Sequence, residues 1–147
     1  MIQRISIFGV VGLLAIFFQS AFVLIESIEH PHDTVVSFCK AYYQLDETAK
    51  SYVTDQDKKE KIEKFYETQK QKANERGYRD NFLVSYLTKI HTETIEQTNQ
   101  SAKVHIEAKR AAIIPWLRTR KMYDVDHTFS LVKKDNRWII ADGIGTM

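Results

Sequence analysis

The sequence predicts an α+β domain that follows a membrane-spanning helix. Residues 5–25 contain no charged side chain, and apolar residues then recur at helical spacing to about residue 73. From Phe82 onward the pattern changes to segments rich in β-branched and aromatic residues, which favours strands. Helices that precede a run of strands are typical of α+β domains, in which amphipathic helices pack on one face of an antiparallel sheet.

The apolar run ISIFGVVGLLAIFFQSAFVLI, residues 5–25, has the length of a bilayer span. Its 21 residues, at about 1.5 Å each, give roughly 31 Å of helix, close to the hydrocarbon thickness of a membrane. A cleaved signal peptide would have a shorter apolar run followed by small residues, whereas this run continues to Glu26. A buried core helix would need a polar face. A retained anchor is therefore the preferred interpretation.

The charges that flank the run predict its orientation. Arg4 and the α-amino group precede it, whereas Glu26, Glu29 and Asp33 follow it and no Lys or Arg occurs until Lys40. The positive-inside rule then places the N-terminus in the cytoplasm. We expect residues 1–30 to form a cytoplasmic stub and anchor in the cell membrane, and residues 31–147 to form an extracytoplasmic domain.

The composition of the domain gives no reason to expect nucleic acid as a partner. Without Arg4, 20 of the 21 basic residues remain against 19 acidic residues, a formal charge of +1. The lone Cys39 lies on the apolar face of a predicted helix and is expected to be a buried small hydrophobe. No phosphate-binding loop or nucleophile elbow is present, and no cofactor is predicted.

Two amphipathic helices are predicted. The first spans about 34–53, with Asp33 or Thr34 as its N-cap. The second begins after a capping box formed by Thr54 and Asp57, and it ends at Gly77. Its narrow apolar stripe consists of Ile62, Phe65, Tyr66, Gln69 and Ala73.

Four strands should follow the helices. The first covers 82–97, and a turn at 99–101 leads to a strand over 102–109 in which Ala102, Val104, Ile106 and Ala108 face inward. Pro115 should end or interrupt that strand. The last two strands are expected at 121–133 and 137–143.

The last two strands should form a hairpin whose turn determines which residues share a face. A two-residue turn at Asp135-Asn136 places Lys134 opposite Arg137 and Lys133 opposite Trp138. Continued without a break, this register places Asp142 opposite Phe129 and diagonal to His127. The apolar face then holds Tyr123, Val125, His127, Phe129 and Leu131, together with Trp138, Ile140 and Asp142.

Residues 33–142 resemble the nuclear transport factor 2-like superfamily, whose members have a cystatin-like α+β cone. An N-terminal helix such as VVSFCKAYYQLDETAKSYV, and an ending with the pattern Phe-x-Leu-x-Lys-x-x-x-x-Trp-x-Ile-x-Asp, support this likeness. The resemblance implies a bent sheet around a conical pocket. Members include isomerases, dehydratases, transport factors and anchored domains, so the fold does not determine the function. An anchored external domain of this type also looks like an inner-membrane subunit of type IV secretion machines.

A catalytic dyad of His127 and Asp142 is the sharpest enzymatic hypothesis. A carboxylate beside an imidazole raises its basicity and makes it a general base. The alternative is a core histidine that is satisfied by a polar neighbour, because buried polar groups need partners in any protein. If the cone holds a pocket, its predicted lining consists of Tyr42, Tyr66, Tyr123, Phe129 and Trp138.

Metal binding is a weaker hypothesis. His30, His32 and Asp33 could hold a transition metal, but a structural zinc site needs four ligands and no C-x-x-C or H-E-x-x-H motif accompanies them. His91 and His105 fall on neighbouring strands and are expected to face solvent. No metal site is therefore predicted.

The preferred functional prediction is a single-pass membrane protein whose external domain binds another protein or assembles with itself. The superfamily resemblance implies that the open sheet face supports dimers, although Asp124, Asp126, Thr128 and Ser130 make this face polar. The partner would be a second copy or a protein of a membrane complex. The rival is a binding pocket or an isomerase-like or dehydratase-like enzyme that uses His127 and Asp142.

Overall fold

The computed structural model describes residues 29–75, 77, 84–114 and 119–144, so the predicted anchor lies outside the described residues. Within these ranges, no helix is both long and apolar enough to cross a bilayer. The elements are α1 (Pro31–Tyr43), a 3₁₀ helix (Glu47–Tyr52), α2 (Gln56–Glu75), β1 (Val84–Gln97), β2 (Ser101–Ile114), β3 (Thr119–Lys134) and β4 (Arg137–Asp142). Neighbouring strands pair antiparallel in the order β1-β2-β3-β4. The predicted α+β class is confirmed.

The first helix is shorter than predicted. It begins at Pro31, because the fixed φ of proline suits the first helical position and His30 is its extended N-cap. It ends at Tyr43, where Leu45 adopts a φ of +57° and Asp46 N–H donates to the carbonyl of Ala41 over 2.9 Å. The prediction of one helix over 34–53 with a cap at Asp33 or Thr34 was therefore wrong.

The apolar periodicity did not reveal the end of α1, because apolar residues keep their helical spacing beyond Tyr43. The 3₁₀ helix still buries Ala49 against the core, although the backbone has changed its hydrogen-bond pattern. The Asp46 carboxylate accepts the backbone N–H of Thr48 over 2.9 Å and so caps the new helix.

The second helix has the predicted apolar stripe but a different cap. Asp55, not Thr54, accepts the backbone N–H of Asp57 over 3.1 Å, so the predicted capping box was wrong. A short acidic side chain directly before a helix is well suited to this role. The helix ends just before Gly77, which has a φ of +74°. Its buried residues are Ile62, Tyr66 and Ala73.

The helices pack on one face of the sheet, called here the inner face. It is formed on β2 by the four residues predicted to point inward and on β3 by Val125, Phe129 and Leu131, all of which are buried. Phe38 of α1 meets the ring of Phe129 edge to face, with 5.7 Å between centroids. Tyr42 stacks on Phe65 of α2 at 4.3 Å. The opposite side, called the outer face, leaves Asp124, Asp126, Ser130 and Val132 exposed.

The β3–β4 hairpin has the predicted turn. Asp135 and Asn136 have φ values of +50° and +64°, as a type I′ turn requires. Lys134 pairs with Arg137 and Lys133 with Trp138, which confirms the predicted register near the turn.

Farther from the turn, the register shifts by one residue. Leu131 pairs with Ile140 but Ser130 pairs with Asp142, so Ala141 is the extra residue of a β-bulge. Asp142 therefore lies opposite Ser130, and the prediction that it opposes Phe129 was wrong. Gly143 follows with a φ of +110°, close to the carbonyl of Thr128, which brings the chain against β3.

Candidate functional site

His127 lies on the inner face, as its position in the alternating strand predicts. It pairs with the buried Ile106 and is half-buried, with its ring edge-on to Phe129 at 6.4 Å. Burial lowers the pKa of His127, while the nearby Asp126 raises it and His105 lowers it further. Within the described residues, the imidazole has no hydrogen-bond or ion-pair partner. It is therefore a neutral group at neutral pH.

Asp142 does not meet His127 in this structure. The bulge at Ala141 places Asp142 across from Ser130, on the side of the sheet opposite to His127. Its carboxylate is exposed and accepts the backbone N–H of Gly143 over 2.8 Å. The two members of the predicted dyad are thus separated by the sheet itself.

Four of the five predicted pocket residues belong to the packed core. Tyr42 and Trp138 are each 4 % exposed, and Tyr66 and Phe129 are fully buried. The Tyr66 hydroxyl donates to the carbonyl of Asp46 over 2.7 Å, and burial raises the pKa of Tyr42 to about 12. The fifth residue, Tyr123, is 50 % exposed at the end of the inner face. In the described residues, these side chains fill space that a pocket would need.

Sequence reasoning missed Arg110, a charged residue on the inner face. Its Nε donates to the Ser85 hydroxyl over 2.7 Å, and its guanidinium lies 5.0 Å above the ring of Tyr43. Burial raises the pKa of Tyr43, although the Arg110 charge opposes this rise. The alternation of inward-facing residues over 102–108 places residue 110 on the same face, and this pattern could have identified Arg110. It was missed because the predicted strand ended at residue 109.

The predicted metal candidates lie together at the start of α1. The rings of His30 and His32 stack with 5.3 Å between centroids, and His32 Nε2 is 3.4 Å from the Asp33 carboxylate. Within the described residues, no group of three or more His, Cys, Asp or Glu side chains is arranged to hold a metal ion. Cys39 is fully buried, and burial raises the pKa of its thiol to about 12.

Charged residues of β2 and β3 form what we call the outer-face cluster: His105, Glu107, Lys109, Asp124 and Asp126. Glu107 pairs directly with Asp126, and His105 Nε2 lies 3.5 Å and 3.6 Å from their carboxylates. Two carboxylates directly opposite each other repel. A protonated His105 imidazole, which lies close to both carboxylates, would reduce the repulsion between Glu107 and Asp126.

The rest of the cluster is held by polar contacts and bordered by apolar side chains. Lys109 forms an ion pair with Asp124, and His105 Nδ1 shares a hydrogen bond with the Thr128 hydroxyl over 3.1 Å. His105 lies on the outer, solvent-facing side of the sheet, as predicted, and is partly exposed, while His91 is exposed. Met122 and Val132 are 45 % and 43 % exposed at the two ends of the same face.

No protein-family model matches this chain, and no curated protein matches it significantly. The resemblance to the nuclear transport factor 2-like superfamily therefore stays a prediction.

Proposed function

We propose that this protein is a single-pass membrane protein whose α+β domain, outside the cytoplasm, binds protein through the outer face of its sheet. The observation that carries the proposal is the difference between the two faces of β3: helices cover the inner face, while outer-face side chains from Met122 to Val132 are largely exposed. A second copy of the chain is the partner that we propose first, and a protein of a membrane complex is the other.

The outer face has the chemistry of a non-obligate protein interface. Exposed apolar side chains at Met122 and Val132 border a cluster that carries both signs of charge. Interfaces of this class are about as polar as the rest of a protein surface. A twofold contact uses the same patch on both copies, and a patch with both signs can be complementary to itself.

The proposed membrane attachment is supported by the uncharged run at 5–25 and by the position of Arg4 before it. The N-terminal residue of the mature protein tests it. A sequence that starts beyond residue 25 would show that the run is removed and would overturn the anchor.

Pocket binding or enzyme catalysis is the second candidate, and His127 is the residue that favours it. Burial lowers its pKa, so a neutral imidazole is available as a base on the inner face. Such a site would work without Asp142, which lies on the other side of the sheet. This candidate requires a ligand that reaches His127 between the helices and the sheet.

Sedimentation equilibrium of the full chain in detergent tests the protein-binding proposal. We expect a dimer that Val132→Arg weakens at least about tenfold, because a new cation would repel its own copy across a twofold contact. Glu67→Arg, on the exposed side of α2, is the matched control and should leave association unchanged. A strict monomer at high concentration would remove the homodimer. If the chain is a monomer, crosslinking from position 132 in the native membrane should capture a different protein. If no protein is crosslinked there, the proposal is wrong.

A further inference from the structure

The chain that follows the anchor is attached to the last strand of the sheet. Trp138 of β4 donates its indole N–H to the backbone carbonyl of Glu29 over 3.0 Å, and Trp138 is almost fully buried. Pro31, two residues after Glu29, is also fully buried. These contacts determine that the chain enters the domain beside β4 and the β3–β4 turn.

The length of chain before Glu29 restricts how far this turn can lie from the anchor. The uncharged run ends at Ile25, four residues before Glu29. Four residues span at most about 14 Å when fully extended. The headgroup layer on each side of a bilayer is itself roughly 5–8 Å thick. A turn held beside Glu29 is therefore within reach of the headgroups if the run spans the membrane.

The turn presents a concentration of positive charge at this position. We define the basic tip as Lys133, Lys134 and Arg137, all of which are exposed, with Asp135 as the acidic residue between them. Lys133 Nζ lies 5.7 Å from the centre of the Trp138 ring, so the tip is adjacent to the residue that holds Glu29. The chain at the anchor exit is instead acidic, with Glu26 and Glu29. The basic tip supplies the charge there that would attract an anionic surface.

We propose that the basic tip docks on the anionic phospholipid headgroups of the membrane that holds the anchor. This inference rests on the proposed membrane attachment. A Lys or Arg side chain held at an anionic bilayer surface is attracted to it, and each such residue strengthens the binding about fivefold on whichever side of the membrane the anionic lipid lies. Docking would orient the domain with its hairpin end toward the bilayer, and the domain would not rotate freely on its short connection.

Headgroup quenching of a fluorophore beside the tip tests the inference on the full chain in nanodiscs. Gln100→Cys provides the labelling site, because Gln100 is exposed and its carbonyl accepts the backbone N–H of Lys133 over 2.8 Å. The fully buried Cys39 should not react with a maleimide. A quencher attached to lipid headgroups should quench this label more strongly in nanodiscs that contain phosphatidylglycerol than in phosphatidylcholine alone.

The charge of the tip is then removed. Lys134→Gln with Arg137→Gln should weaken docking roughly 25-fold, because two of the three cations are lost, and should abolish the difference between the two lipids. Lys64→Gln with Lys70→Gln removes the same charge from the exposed side of α2 and should preserve that difference. Both double variants must enter nanodiscs equally well.

The possible results separate this inference from the proposed function. A chain that does not enter neutral nanodiscs would overturn the proposed anchor. A chain that enters them but shows equal quenching in both lipids would overturn docking of the tip alone. The same conclusion follows if the tip variant and the α2 variant behave identically.

Discussion

The two faces of β3 differ although they alternate along the same strand. Val125, Phe129 and Leu131 point toward the helices and are buried, while Asp124 and Ser130 point away and are exposed. Burying an unpaired carboxylate costs far more than burying an apolar side chain gains, so only one of these faces can receive the helices. Residues on the inner face of β3 therefore stabilise the fold, whereas residues on its outer face are available for contacts.

Three predictions test this separation, in order of expected effect. The largest concerns Phe129, which is fully buried and contacts Phe38. Phe129→Ala should lower the free energy of unfolding by about 3–5 kcal/mol, because it leaves a cavity between the helices and the sheet. Urea unfolding followed by circular dichroism measures this. Thr128→Ala, one residue away on the outer face, should cost less than about 1 kcal/mol. Equal losses would contradict the assignment of the two faces.

The second prediction concerns the bulge that moves Asp142 to the outer face. Gly143 has a φ of +110°, and a Cβ there would lie 2.6 Å from the Thr128 carbonyl and 2.9 Å from Phe129 Cδ1. Gly143→Ala should therefore cost about 2–4 kcal/mol through backbone strain and overpacking. Gly77→Ala is the control, since its φ is also positive but no described atom lies within 4 Å of a Cβ there. The control should cost only about 1 kcal/mol. A tolerated Gly143→Ala would show that this close approach does not hold the bulge.

The smallest effect is expected at His127, the polar residue on the apolar face. Its folded-state pKa lies below the ordinary value of 6.5, so the unfolded chain binds a proton more readily. The contribution of His127 to the free energy of unfolding should therefore fall as the pH drops from about 6.5 to the lowered pKa. Below that pKa this contribution should not change further. The loss should stay under about 1 kcal/mol, because solvent screens a half-exposed imidazole.

His127→Phe and His127→Gln should both abolish this pH dependence, since neither side chain titrates. The Phe variant should also be more stable than the Gln variant, because it adds apolar contact beside Phe129. Urea unfolding between about pH 7.5 and pH 5 measures both effects. If the free energy of unfolding of both variants depends on pH in the same way as that of the wild type, burial on the inner face does not lower the pKa of His127.

Local patterns predicted most of the elements but not their interruptions. The alternation in AKVHIEAK and the turn at Asp135-Asn136 depend on neighbours in the sequence, and both predictions were confirmed. The end of α1 at Tyr43 was missed because apolar spacing continues through the 3₁₀ helix. The Ala141 bulge was missed because a register shift is determined by contacts across the sheet.

The sequence by itself determined the α+β class, the uncharged run before the domain, the hairpin turn and the apolar faces of β2 and β3. These follow from residue type and spacing, which act over a few residues. Only the tertiary structure decided that Asp142 lies on the opposite side of the sheet from His127, that Arg110 contacts Tyr43, and that Trp138 holds Glu29. These contacts join segments distant in the chain, and Trp138 and Glu29 are 109 residues apart. Their geometry depends on how helices and strands pack, which periodicity alone does not specify.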